Sequence, residues 1–399
     1  MKKNQTPLLM IPGPTPLPDL VREHLSKPAI GHRSAFFKDV LKRVLPKLQW
    51  IFQTRSDVLL YTASGTGAME AALSNTLNAG DKVLVTVCGV FSARWAEIAK
   101  SLGLDVETID VPAGEPNTVE ALRDALEKAK ASGEPYKAVM LTHSETSTGI
   151  LNPVKEMASV IREVSSESLI IVDCVTSLGA TEFKFDDWGI DLAVSGSQKG
   201  FMCPPGLSFL AVSQRAWQAH KQCKNPGYYF NFTKNKKAQD DFTTAYTPST
   251  PLIIALAVAL DMMHDETLDG IFDRHAKLQA MVRAGAEALG LQLFVSNHKN
   301  ASHAVTSILP PAGISVDDIR NILRTEFSII VADGQKELKG NIFRIGHLGH
   351  VHEREVYQVL AALEKALISL GHSKNYAGQS ILAAQNIDFN WDKKTAPIA

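Results

Sequence analysis

From residue 58 onward, short apolar runs alternate with segments whose apolar positions recur every three to four residues. VLLYTAS (58–64) predicts a buried strand, and Gly67 to Leu77 a helix. DKVLVTV (81–87) predicts a second strand, and Ser92 to Leu102 a second helix. Asn117 stands where an N-cap belongs, with Glu120 three residues on and Leu122, Ala125, Leu126 and Ala129 on one face. KAVMLTH (137–143) predicts a strand. Asn152-Pro153 predicts an N-cap with proline at the first helical position, followed by Val154, Met157, Val160, Ile161 and Val164 at helical spacing. SLIIVDCV (168–175) and DLAVSGS (191–197) predict two further strands. This alternation predicts an α/β architecture with a mostly parallel sheet. Such sheets bind ligands beyond the carboxyl ends of their strands.

After Gly206 the pattern loosens, and the charged stretch KNKKAQDD within 221–245 predicts a solvated loop. Helices are predicted from Pro251 to about His264, over Phe272 to Leu289, Val316 to Leu323 and Glu353 to Leu370. Strands are predicted at HAVTSIL (303–309) and IFRIGHL (342–348), so this part suits a smaller α+β domain. The resulting division is an N-terminal segment (1–20), a large domain (21–255), a small domain (256–372) and a tail (373–399) without clear periodicity.

Composition narrows the class of partner. The 399 residues carry 41 Lys plus Arg against 42 Asp plus Glu, a balance that gives no support for a nucleic-acid or anionic-membrane partner. The longest apolar run, Pro251 to Leu260, is half a membrane span, and the N-terminus lacks the apolar region of a signal peptide. Cys88, Cys174, Cys203 and Cys223 form no C-x-x-C pair and fit a reducing compartment. The expectation is a soluble, cytoplasmic protein.

Four features carry candidate chemistry. Ser64-Gly65-Thr66-Gly67 joins a strand to a helix, where glycines admit close approach and free amides favour an anion; a plain turn is the alternative. A dinucleotide fingerprint would need glycine where Glu70 stands, and the Walker lysine is missing. Asp173 ends the apolar run LIIV, as a helix cap or as a carboxylate aimed into the crevice. Lys199 lies in SGSQKG ahead of Cys203-Pro204-Pro205-Gly206, as an exposed lysine or as a desolvated nucleophile. Arg344 sits inside an apolar strand, in a structural ion pair or as a clamp on a carboxylate. Together they specify pyridoxal phosphate, which needs an amine, an acid for its ring nitrogen and an anion site.

The order of these elements resembles the fold-type I pyridoxal-phosphate enzymes, and among them the class V aminotransferases. SGTGAMEA, THSETSTG, VDCVTSLGA, SGSQKG and FRIGHLG stand in that family's order. With PGPTPLP and GHRS they cover residues 11 to about 370. The nearest resemblance is to serine–glyoxylate and alanine–glyoxylate (serine–pyruvate) aminotransferases. It implies a large α/β domain with a seven-stranded, mostly parallel sheet and a smaller C-terminal α+β domain. It further implies that Lys199 holds the cofactor covalently and that Asp173 pairs with the ring nitrogen. Gly65 and Thr66 supply phosphate contacts, Ser64 and, beside the lysine, Gln198 also bind the cofactor, Phe91 stacks on the ring, and Thr146 places a hydroxyl near it. Arg344 binds the substrate carboxylate, and His32 lines the entrance. Tyr246 and Thr250, with Thr247 as a competing choice, reach the phosphate from the partner subunit of a homodimer.

The implied reaction moves the amino group of serine or alanine to glyoxylate or pyruvate. Phosphoserine aminotransferase is an alternative without an additional basic pair to mark its substrate. Cysteine desulfurase is another, but no cysteine follows Cys223 to act as its nucleophile. A non-catalytic subunit of a redox complex is a third, suggested by the hydrogenase label on some bacterial relatives. His347, His350 and His352 are read as surface or entrance histidines, not as a metal site.

Overall fold

In a computed structural model, residues 6–372 and 376–387 are described. The larger sheet has seven strands in the order Asp57–Tyr61, Ser208–Val212, Leu192–Gly196, Leu169–Asp173, Ala138–Thr142, Lys82–Val87 and Asp105–Asp110. All neighbours run parallel except Ser208–Val212, which is antiparallel to both of its own. This is the mostly parallel seven-stranded sheet the resemblance implied. The three central strands are buried at every position because helices cover both faces. Successive residues divide between two cores: Val139, Leu141, Ile170 and Val172 enter one, and Ala138, Met140, Leu169 and Ile171 the other. The strand ends therefore deliver Asp173 and the Lys199 loop to one edge.

Several expectations are corrected. Thr118, not Asn117, caps the helix Val119–Ala131, accepting from the Ala121 amide at 3.2 Å. Asn152 caps nothing; its amide group accepts from the Asn117 N–H at 2.9 Å and donates to the Thr142 carbonyl at 2.7 Å. KNKKAQDD lies in a helix, Phe232–Asp240, rather than a loop. Its charges face outward, while Gln239 accepts from the Leu60 amide and donates to the Val58 carbonyl, closing the edge of the sheet. The structure adds the strands Asp105–Asp110, Ser208–Val212 and Ile329–Asp333 and the helix Ala35–Phe52 to the expected elements. Asp105–Asp110 is an edge strand with no buried position, so it has no apolar run.

A second sheet runs in the order Leu8–Met10, Ile329–Asp333, Phe343–Gly346 and Val305–Ile308. Its first strand comes from the N-terminal segment and pairs in parallel with Ile329–Val331. One helix, Leu268–Ala288, passes between cores: Ile271 packs into the first core, with Val139 and Leu141, whereas Leu278, Met281 and Val282 pack into a third, with Ile308, Val331 and Phe343 of the smaller sheet. A division at 255 would cut the helix Thr250–Glu266, whose buried face lies wholly in the first core. The expected tail holds a helix, Gln379–Gln385. Glu364 anchors it, accepting from the Gly378 amide and the Ser380 hydroxyl at 2.9 Å each. Residues 388–399 of that tail lie outside the described residues. No helix among the described residues is long and apolar enough to cross a membrane.

Candidate active site

Lys199 follows the strand Leu192–Gly196 by three residues, on a loop that turns back sharply. The Ser197 hydroxyl donates to the Pro204 carbonyl at 2.6 Å, and the Met202 amide to the Lys199 carbonyl at 3.0 Å. The side chain is buried, and its amine donates to the Pro12 carbonyl. Burial pulls the amine down to about 8, against the opposing pull of Asp173; Arg344 reinforces the fall. The N-terminal segment crosses this loop. Thr15 donates from its hydroxyl to the Lys199 carbonyl at 3.1 Å and from its amide to the Gln198 carbonyl at 3.2 Å. Gly13 has φ +123°, and a Cβ there would lie 2.6 Å from Lys199 Cδ.

Asp173 is the last residue of its strand and is also buried. Burial pushes its carboxyl up to about 6; the Val175 amide, donating at 2.8 Å, and the Lys199 charge partly offset this, while Glu145 adds to it. The Thr146 hydroxyl meets the Thr176 hydroxyl at 2.5 Å. Ser64 is exposed and stands at the N-cap of the helix Gly65–Thr76 without a side-chain cap bond. The Gly65 and Thr66 amides thus form an open helix N-terminus, which attracts an anion. Thr66 accepts from Arg94 at 3.1 Å, and the Arg94 guanidinium lies 4.9 Å from the centroid of the Phe91 ring.

Arg344 comes from the strand Phe343–Gly346 of the smaller sheet and is buried. Its Nε and Nη2 donate to the Asp333 carbonyl at 2.8 and 2.5 Å, and Nη1 to the Thr146 carbonyl at 2.8 Å. All of these partners are neutral carbonyls, so the guanidinium has no carboxylate bound to it. Burial draws it down to about 10, which the Asp333 and Glu145 charges partly offset. A buried cation oriented only by carbonyls suits an incoming anion.

The fit to pyridoxal phosphate rests on this donor set. A desolvated amine, a buried acid and an open helix N-terminus share one crevice, and the Gln198 side-chain oxygen beside Lys199 is buried without a hydrogen-bond partner. Other expected residues lie apart. The Tyr246 hydroxyl donates to the Tyr228 carbonyl at 2.9 Å and its ring stacks on Tyr229, with no bond to Lys199 or Asp173. Thr250 opens the helix Thr250–Glu266, and Thr247 is exposed. His32 is half-buried in the loop before the helix Ala35–Phe52.

His347 is neither at the surface nor at an entrance: it is fully buried, with Nε2 3.0 Å from the Thr306 hydroxyl. It directly follows the strand Phe343–Gly346 and its amide donates to the Ala304 carbonyl at 3.0 Å, a burial that spacing alone did not reveal. His350 and His352 contact each other at 3.4 Å. Sequence reasoning also missed Glu145, Arg94, Pro12 and Thr15. Glu145 stood inside the quoted THSETSTG motif, where an acid among small residues was the available signal.

The chain matches the family model described as Aminotransferase class-V over residues 23–356. It is 37% identical to a serine–glyoxylate aminotransferase of Hyphomicrobium methylovorum, covering 98% of this chain and 97% of that one. It is 43% identical to a Synechococcus protein named as the small subunit of a soluble hydrogenase, covering 95% and 98%. The crystal structure of an alanine–glyoxylate aminotransferase from Nostoc superposes with a TM-score of 0.86 at 31% identity, covering 92% and 96%.

Proposed function

The chain belongs to the class V aminotransferases, pyridoxal-phosphate enzymes of fold type I, and from that premise we propose that it moves the amino group of serine or alanine to glyoxylate or pyruvate. The observation that carries this reading is the meeting of Lys199, on the loop after one strand, with Asp173 and Arg344, on two others, around one crevice. The choice of donor and acceptor draws on the relatives named for serine–glyoxylate and alanine–glyoxylate transfer.

In this reading Lys199 would hold the cofactor covalently, Asp173 would pair with its ring nitrogen, Gly65 and Thr66 would contact the phosphate, and Ser64 and Gln198 would bind the cofactor beside them. Phe91 would stack on the ring and Thr146 would place a hydroxyl near it. Bound there, pyridoxal phosphate supplies an electron sink for the pair left on the substrate Cα. Arg344 orients the substrate by its carboxylate, so that the Cα–H bond faces Lys199. The Lys199 amine, which burial draws down to about 8 when free, would be released as the substrate amino group takes its place, and would then take the Cα proton as general base and later return it. His32 borders the entrance. Tyr246 and Thr250 of the partner subunit complete the phosphate site, so the working unit is a homodimer.

The Lys199→Ala variant is expected to lose both the visible absorbance of the bound cofactor and turnover; retention of both sinks the assignment. A screen of amino donors against glyoxylate, read as kcat/KM, tests the substrates. Serine or alanine should lead; preference for phosphoserine with 2-oxoglutarate overturns that choice.

A further inference from the structure

Glu145 is a charge in this crevice that the transamination reading leaves without a task. It is completely buried, and among the described residues no ion pair includes it. Its carboxylate is instead surrounded by donors. Oε2 accepts from the Phe91 amide at 3.1 Å, the Ser92 amide at 2.8 Å and the Ser92 hydroxyl at 2.9 Å. Oε1 accepts from the Phe91 amide at 3.2 Å, the Ser147 amide at 3.0 Å and the Ser147 hydroxyl at 2.7 Å.

Phe91 and Ser92 belong to the first turn of the helix Val90–Ser101, whose N-cap, Gly89, has no side chain to cap it. A Cβ on Gly89 would lie 2.6 Å from Glu145 Cδ, so glycine there is what lets the carboxylate approach. The remaining first-turn amide, Val90, donates to the Ser147 hydroxyl at 3.0 Å. The whole first turn is therefore tied to the 145–147 segment, which lies just beyond the strand Ala138–Thr142. The ring of Phe91 hangs from this turn, with Arg94 against it and Thr66 beyond.

We propose that Glu145 is a positioning residue: by accepting the first-turn amides it sets the tilt of the Phe91 ring over the cofactor, and it places one fixed negative charge beside Lys199 and Asp173. The inference rests on the reading that Phe91 stacks on pyridoxal phosphate. Consistent with it, Glu145 raises the proton affinity of both Asp173 and Lys199.

The test compares wild-type holoenzyme with Glu145→Gln by visible circular dichroism of the bound cofactor, the pH titration of its visible band, and cofactor Kd by equilibrium dialysis. A glutamine amide nitrogen cannot accept from N–H groups, so Kd should rise about tenfold, the scale of one lost charge-assisted bond. The visible dichroism should weaken, and the titration midpoint should move to lower pH, since a negative charge has gone. Phe91→Leu should weaken the dichroism similarly, and the double variant should weaken it no further. Dichroism, midpoint and Kd of Glu145→Gln all within twofold or a tenth of a pH unit of wild type would overturn the proposal, as would fully additive loss of dichroism in the double variant. If Glu145→Gln does not fold, Ser147→Ala carries the test: weaker dichroism supports the proposal and unchanged dichroism overturns it. A wild-type protein without any visible band would instead overturn the cofactor reading itself.

Discussion

The guanidinium of Arg344, on the smaller sheet, donates to the main-chain carbonyl of Thr146, beyond the strands of the larger one, at 2.8 Å. The same arginine that suits a substrate carboxylate thus also joins the two halves of the molecule. Two more of its five N–H groups go to the Asp333 carbonyl, which fixes the plane of the fork and leaves two for a carboxylate.

Replacing that fork with a point charge should therefore be costly. Arg344→Lys keeps the charge but cannot bond Asp333 and Thr146 together while also meeting a carboxylate. We expect kcat/KM for the amino donor to fall by about 100-fold, on the order of 2–3 kcal/mol, mainly through KM. The cofactor band should remain. Steady-state kinetics with an unchanged KM would contradict the clamp.

Asp173 should weaken the cofactor-free fold as pH rises. Burial pushes its folded carboxyl up to about 6, above its unfolded value of 3.8, so the native state binds the extra proton. Stability is full below the unfolded value and declines as pH climbs through 6. Asp173→Asn lacks this decline. In urea unfolding of the apoprotein, the variant should gain on wild type between about pH 4 and 6 and hold the gain above, on the order of 2–3 kcal/mol. A pH-independent difference would refute it.

The buried histidines work in the opposite sense. Burial depresses His143 and His347 to about 3 and also lowers His275, and the half-buried His303 is drawn down to about 4. The native state thus refuses protons that the unfolded chain accepts below about 6.5. Stability from these groups is complete above that pH and is lost as pH falls toward 3–4. Several such groups outweigh the single opposing Asp173. The melting temperature should drop steeply from pH 6.5 to 4, and His143→Phe should flatten the slope.

Gly200 leaves no room for a side chain, because a Cβ would collide with the Leu178 carbonyl oxygen. That backbone cannot yield without moving Lys199 next door. Gly200→Ala should cost about 1–3 kcal/mol in denaturant unfolding and lower cofactor occupancy together. Full occupancy with normal stability would show that the loop accommodates the methyl.

Much of the site was legible because it is local. Asp173 and Lys199 each follow an apolar run, and a buried parallel strand carries its next residues to the crevice whatever surrounds it. Runs such as LIIV and LAVSG announce such strands through burial on both faces. Polar or irregular elements hid themselves. Asp105–Asp110 pairs at an exposed edge, and the KNKKAQDD helix shows its purpose only through Gln239 against Val58 and Leu60.

What the amino-acid sequence determined by itself was the alternation of elements and the α/β class, and it singled out one lysine, one acid and one arginine as candidates. Only the tertiary structure decided that Leu8–Met10 joins the far sheet, that Pro12 receives the Lys199 amine, and that Glu145 grips Phe91 across 54 positions of chain. The reason is physical. Periodicity records which face of a segment avoids water, and that is a property of neighbours along the chain. A hydrogen bond between distant residues depends on where two separately buried segments come to rest, which no local pattern of apolar and polar residues encodes.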